Sequence, residues 1–107
     1  MTALPLMLFV AALLEIGGDA AIRQGLLRPS WAWLALGVAT LAAYGFAVNA
    51  NRTIDFGHLM GLYIAVFFVV SQVLNFLLFG VQPTPGVLLG GSLIVLGGLV
   101  ILFGSAP

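Results

Sequence analysis

The chain contains no cysteine and no lysine, and charged residues make up only 6% of its 107 positions. Without cysteine there is no disulfide frame, no thiolate chemistry and no soft-metal site. The shortage of charge excludes more. Charged residues form roughly a quarter of an ordinary soluble chain, and a protein of this size leaves about a third of its unfolded surface facing solvent. Three arginines, three acids and one histidine cannot clothe such a surface. A soluble enzyme and a disordered tail are therefore excluded. The net charge of zero offers no basic patch for nucleic acid. One histidine and three scattered acids match no metal-ligand spacing. The sequence points to no enzyme, no cofactor, no metal and no nucleic-acid partner. Its solvent is membrane lipid.

What the chain does have is apolar: 63% of it is hydrophobic, with 14 glycines and 5 prolines besides. A membrane-spanning helix needs about 20 mostly apolar residues. Four such runs nearly exhaust the sequence and predict spans over about 2–22, 31–48, 57–80 and 86–104. The start lacks the positive n-region of a signal peptide and reads as the first span. Arg23, Gly25, Arg28 and Pro29 mark its end. Ser30 is a candidate N-cap of the second span, with Trp31 and Trp33 as an aromatic belt at the interface. The polar cluster Asn49, Asn51, Arg52 and Asp55 separates spans two and three, and His58 reads as an interface residue. Gln82-Pro83-Thr84-Pro85 stops the third span, because proline cannot continue a helix. Short loops make neighbouring helices antiparallel. The expected fold is an all-α membrane protein, one four-helix transmembrane domain over 1–107.

Small residues recur at helix-packing intervals. The last span carries Gly86, Gly90, Gly91, Gly97, Gly98 and Gly104, the third has Gly57 and Gly61, and the second has Ala35, Ala39, Ala43 and Ala47. Such residues let lipid-buried helices approach closely. The Gly90 and Gly97 face, with Leu93 and Ile94, reads as a packing interface. Arginines are split two against one between the membrane sides, a nearly absent positive-inside bias. A chain so balanced inserts in both orientations and pairs as an antiparallel dimer.

Glu15 interrupts the first span. An acid at a helix centre costs about 2.5–3.5 kcal/mol on insertion scales, and residues that costly mark ion, proton or substrate paths. A carboxyl there sheds its charge by taking a proton or by holding a cation. Gly17 and Gly18 flank it and admit a facing helix or a ligand. Asp19 follows one turn on, and either pairs with Arg23 at the (i, i+4) spacing or forms a second proton or substrate site. Ser71, Gln72 and Asn75 form a polar set in the third span, read either as interhelical hydrogen-bond glue or as a lining for substrate passage. Tyr63 points away from that set.

Leu14-Glu15-Ile16-Gly17-Gly18, then Arg23 and Gly25, the Phe79-Gly80 end of the third span and the run from Gly90 to Gly97 together resemble the small multidrug resistance family. These are the smallest members of the drug/metabolite transporter superfamily, and the resemblance covers essentially the whole chain. It implies that Glu15 binds protons and a cationic substrate alternately, and that two copies sit antiparallel with Gly90, Leu93, Ile94 and Gly97 at the seam. The third-span motif is altered: Met60 and Tyr63 stand where the family has a tyrosine and a tryptophan, and Ala65-Val66-Phe67 replaces its Gly-x-Gly hinge. Ala43 stands where a small hydroxyl is common, with Thr40 and Tyr44 close by. The expected proton and substrate site is thus Glu15, Asp19, Tyr63, Tyr44 and Thr40. The expected protein is a proton-coupled exporter of a small cationic or amphipathic compound, in the prokaryotic inner membrane. A lipid-linked substrate flippase, a paired heterodimer subunit and a dual-topology channel are the alternatives.

Overall fold

The last three helices start where the sequence supplies a capping oxygen. In the computed structural model, which describes residues 3–50 and 52–104, four α-helices form: α1 (Ala3–Leu27), α2 (Trp31–Val48), α3 (Phe56–Phe79) and α4 (Pro85–Phe103). Ser30, Asp55 and Thr84 are the N-caps of α2, α3 and α4, and their side-chain oxygens accept from the backbone N–H groups of Trp33, His58 and Val87. Pro85 occupies the first turn of α4, where its missing N–H costs nothing. Gly80 ends α3 in the left-handed region at φ 66°. There its N–H donates to the Phe76 carbonyl and that of Val81 to the Asn75 carbonyl, a Schellman-type stop that favours glycine.

The second span follows the sequence expectation, and the third and fourth each begin and end one residue earlier than expected. The first does not: α1 runs past Ile22 and Arg23 to Leu27. Gly25 does not terminate it; it lies inside the helix with its bare backbone packed against Leu34 of α2. The effective stop is Pro29, which disfavours helical backbone at Arg28. Position 2, the expected start of the first span, and Asn51 of the polar cluster lie outside the described residues.

All four helices are long and apolar enough to cross a membrane, over Leu4–Leu27, Trp31–Val48, Phe56–Phe79 and Pro85–Phe103. The protein is an all-α, four-span integral membrane protein. Trp31 is 87% exposed and Trp33 45%, as an aromatic belt requires. The helices pair into two compact units, Met1–Asn51 and Arg52–Pro107.

In the first unit α1 and α2 meet along a seam of alternating three- and four-residue steps. A Cβ placed on Gly18 would meet Leu41 at 2.8 Å and the Gly37 carbonyl at 3.2 Å. One on Gly25 would meet Leu34 at 2.8 Å, and one on Gly37 the Gly18 carbonyl and the Ile22 nitrogen, both at 2.9 Å. The pairs Gly25–Leu34, Ile22–Gly37 and Gly18–Leu41 step along the two helices in opposite directions, as a coiled-coil seam does. The alanine ladder of α2 is not this seam: Ala35, Ala39 and Ala43 are exposed on another face.

In the second unit Gly91 accepts the ring of Phe68, Gly98 faces the Ala65 methyl, and a Cβ on Gly61 would meet Ile101 at 2.6 Å. The glycines of α4 thus divide into two faces. Gly91 and Gly98 are buried against α3. Nothing lies within 4 Å of a Cβ on Gly90 or Gly97, and Leu93 and Ile94 are 64% and 37% exposed. The expected interface face is therefore open along this chain, while its neighbour does the packing within it.

Candidate functional site

The seam register fixes where the acid sits. Continuing the steps beyond Gly18–Leu41, the next matched positions are Glu15 with Tyr44 and then Ala11 with Val48. Ala11 and Val48 are buried and Glu15 and Tyr44 half-buried. Glu15 therefore occupies a packing position of the α1–α2 seam, whose other positions are apolar or glycine apart from the facing Tyr44. It also stands at the middle of the span Leu4–Leu27. A carboxyl at that depth is as far from water as the helix can carry it.

Asp19 lies about 6 Å further along the helix axis and Arg23 about 12 Å further. Because α1 continues to Leu27, Asp19 is two turns inside the helix rather than at its end. Both Asp19 and Arg23 are exposed, and no ion pair joins them among the described residues. The (i, i+4) bridge open to the sequence is thus not made.

The other expected site residues divide. Tyr44 is level with Glu15. Thr40 is level with Asp19, but its hydroxyl donates to the Leu36 carbonyl at 2.7 Å and it lies on the opposite flank of the seam. Tyr63, 4% exposed, is buried on α3, its ring 5.9 Å from that of Phe67. It lies in the second unit. Gly18 packs on α2 as expected of a residue beside the acid; Gly17 does not, being exposed with nothing within 4 Å of an added Cβ.

Ser71, Gln72 and Asn75 do not form a network. The Ser71 hydroxyl donates to the Phe68 carbonyl at 2.8 Å, the back-bond a helical serine makes when its own carbonyls are the nearest acceptors. No hydrogen bond among the described residues links the three side chains. Among the phenylalanines of α3, Phe68 is spent on Gly91 and Phe67 on Tyr63, which leaves Phe56, Phe76 and Phe79 exposed. Among the described residues no group of three His, Asp or Glu side chains is placed to hold a metal ion.

The residue that sequence reading missed is Gly45. It is half-buried beside Tyr44, and an added Cβ there would meet no heavy atom within 4 Å. Its sequence signal is weak: one glycine inside an apolar helix, with no partner at packing spacing.

No family model matches the chain, and no solved structure matches it. Curated relatives do. A UPF0060 membrane protein of Rhodococcus jostii (strain RHA1) is 35% identical over 95 residues, 88% of this chain and 87% of the relative. A UPF0060 membrane protein of Nocardia farcinica (strain IFM 10152) is 39% identical over 96 residues, 88% of this chain and 86% of the relative. Another, from Mycolicibacterium gilvum (strain PYR-GCK), is 31% identical over 99 residues, 92% of each.

Proposed function

The chain belongs to the UPF0060 membrane protein family, and within that family we propose that it is a proton-coupled secondary transporter exporting a small cationic or amphipathic compound. The carrying observation is Glu15: an ionisable residue at the middle of the span Leu4–Leu27, in the only position of α1 along the α1–α2 seam, among Ala11, Glu15, Gly18, Ile22 and Gly25, that is not apolar or glycine. Intramembrane acids that face a bundle interior serve proton, ion or substrate movement. The carboxyl holds a proton or the positive group of the cargo, one at a time. Cation arrival releases the proton, and proton return releases the cation. Tyr44 is level with Glu15 across the seam, and Asp19 lies towards the Arg23 end on the same side of α1 as the acid. Beyond the transfer of the proton to and from the carboxyl no covalent bond changes, so the proposed role is that of a carrier rather than an enzyme.

The working unit is an antiparallel homodimer in the prokaryotic inner membrane. Two features support it: the near-balanced arginines, and the open Gly90 and Gly97 face of α4 with Leu93 and Ile94. Alternation of inward- and outward-facing protomers then provides access from both sides. The likeness to small multidrug resistance proteins agrees with this cycle.

Reconstituted into liposomes, the wild-type protein is expected to accumulate an organic cation when the lumen is acidic relative to the outside. Collapse of the gradient with a protonophore is expected to stop accumulation. Equal uptake with and without the gradient would contradict proton coupling.

A further inference from the structure

Glycine in a helix interior sacrifices stability relative to alanine, so each helical glycine calls for a reason. In the α1–α2 hairpin three have one. Gly18, Gly25 and Gly37 would drive a Cβ into the opposite helix. Gly17 lies on the outward face of α1. Gly45 fits neither case. It is half-buried and lies inside the regular helix, its backbone is not left-handed, and a Cβ there would touch nothing within 4 Å. Neither packing nor backbone conformation requires glycine at this point. Gly90 of α4 is also half-buried and open, but it belongs to the other hairpin.

The empty volume at Gly45 is level with Glu15. Tyr44 matches Glu15 in the seam register, so Gly45 is displaced from that level by only about 1.5 Å along the axis. It is also on the same flank. At about 100° per residue, Glu15 is turned about 50° from the line through Gly18, Ile22 and Gly25, and Gly45 about 50° from the line through Leu34, Gly37 and Leu41. In an antiparallel pair these two rotations open towards one side. Asp19 lies further round that side, while Tyr44 and Thr40 lie towards the other. One flank of the hairpin thus holds, level with the middle of α1, a carboxyl and a missing side chain across the seam from it.

We propose that Gly45 is the size-determining position of the carrier: the volume a side chain would fill there receives the apolar part of a monovalent organic cation whose charge Glu15 holds. This rests on the transport reading above and adds to it a limit on cargo shape. Deleting or adding a single methylene in an apolar pocket changes discrimination by about tenfold or more, so a methyl or isopropyl group at Gly45 discriminates against large cations first.

The test uses the full chain in liposomes and a series of alkylammonium ions from methylammonium to tetraethylammonium, with uptake driven by a pH gradient. Gly45→Ala and Gly45→Val are compared with the wild type and with Glu15→Gln, and detergent unfolding midpoints monitor folding. The expected result is a graded loss, by about tenfold or more in KM for the largest ions, with the smallest little affected and the unfolding midpoints preserved. An unchanged size profile in Gly45→Val, beside abolished uptake in Glu15→Gln, overturns the inference and leaves the transport reading standing. So does an equal loss for ions of every size. Wild-type uptake that Glu15→Gln leaves intact, or no wild-type uptake of any member, overturns the transport reading and this inference with it.

Discussion

Glu15→Gln is expected to abolish pH-gradient-driven uptake while leaving the protein folded. Glutamine keeps the size and shape of the acid, so its place in the seam between Ala11 and Gly18 is filled as before. It also removes the cost of an ionisable group at the helix centre, about 2.5–3.5 kcal/mol on insertion scales. The unfolding midpoint in detergent is therefore expected to match or exceed the wild type. What is lost is the group that can hold either a proton or a cation. Glu15→Asp retains that chemistry but withdraws the carboxyl by one methylene, and is expected to keep proton-coupled uptake at a reduced rate. Uptake and thermal unfolding measured on the same preparations separate lost coupling from lost fold. Coupled uptake by Glu15→Gln at the wild-type rate would assign the proton to another residue.

Gly37→Val is expected to be the most damaging substitution of a small residue in α2. A Cβ at Gly37 would lie 2.9 Å from both the Gly18 carbonyl oxygen and the Ile22 nitrogen. Those are backbone atoms of α1, which no rotamer change can move aside. The helices must separate. Overpacking of this kind costs about 1–3 kcal/mol, and separation also loosens the seam position of Glu15, one turn from Gly18. Both the unfolding midpoint and the rate of uptake are expected to fall. Gly17→Ala is the matched control, since an added Cβ there meets nothing within 4 Å. Alanine is the better helix former by about 0.8–1.0 kcal/mol, so this variant is expected to be as stable as the wild type or more so. A Gly37→Val protein more stable than Gly17→Ala would refute the α1–α2 register from which the position of Glu15 is read.

Much of the fold follows from the sequence because lipid imposes length and leaves few alternatives. Ser30 before Trp31 and the Pro83-Thr84-Pro85 stop placed the boundaries of α2 and α4 to within a residue. Arg23 misled at the end of α1. A basic residue looks like an interface marker, but the helix continues until Pro29 forbids it. The packing faces were less legible. Gly90 and Gly97 have the same seven-residue spacing as Gly91 and Gly98, and only the partner decides between them: Phe68 and Ala65 of α3 meet the second pair. The alanine ladder of α2 is as regular as any glycine motif, and yet the seam uses Leu34, Gly37 and Leu41 instead.

The site was legible in its chemistry and not in its geometry. An acid among apolar residues identifies Glu15 without a structure. The steps Ala11, Glu15, Gly18, Ile22 and Gly25 were already present as a packing pattern, broken at one position by the acid. Its level with Tyr44 depends on the crossing at Gly18 and Gly37, which no single helix encodes. The separation of Asp19 from Arg23 and the return of the Ser71 hydroxyl to its own helix are likewise properties of side chains that had alternatives.

Proton release tests the central claim most directly. Purified wild-type protein in weakly buffered detergent solution is mixed with tetraethylammonium, and the pH of the solution is followed. Exchange at Glu15 predicts that the wild type releases protons on binding, that release saturates with the cation, and that Glu15→Gln releases none. Saturable binding of the cation to the wild type without proton release, or equal release from Glu15→Gln, would contradict the account.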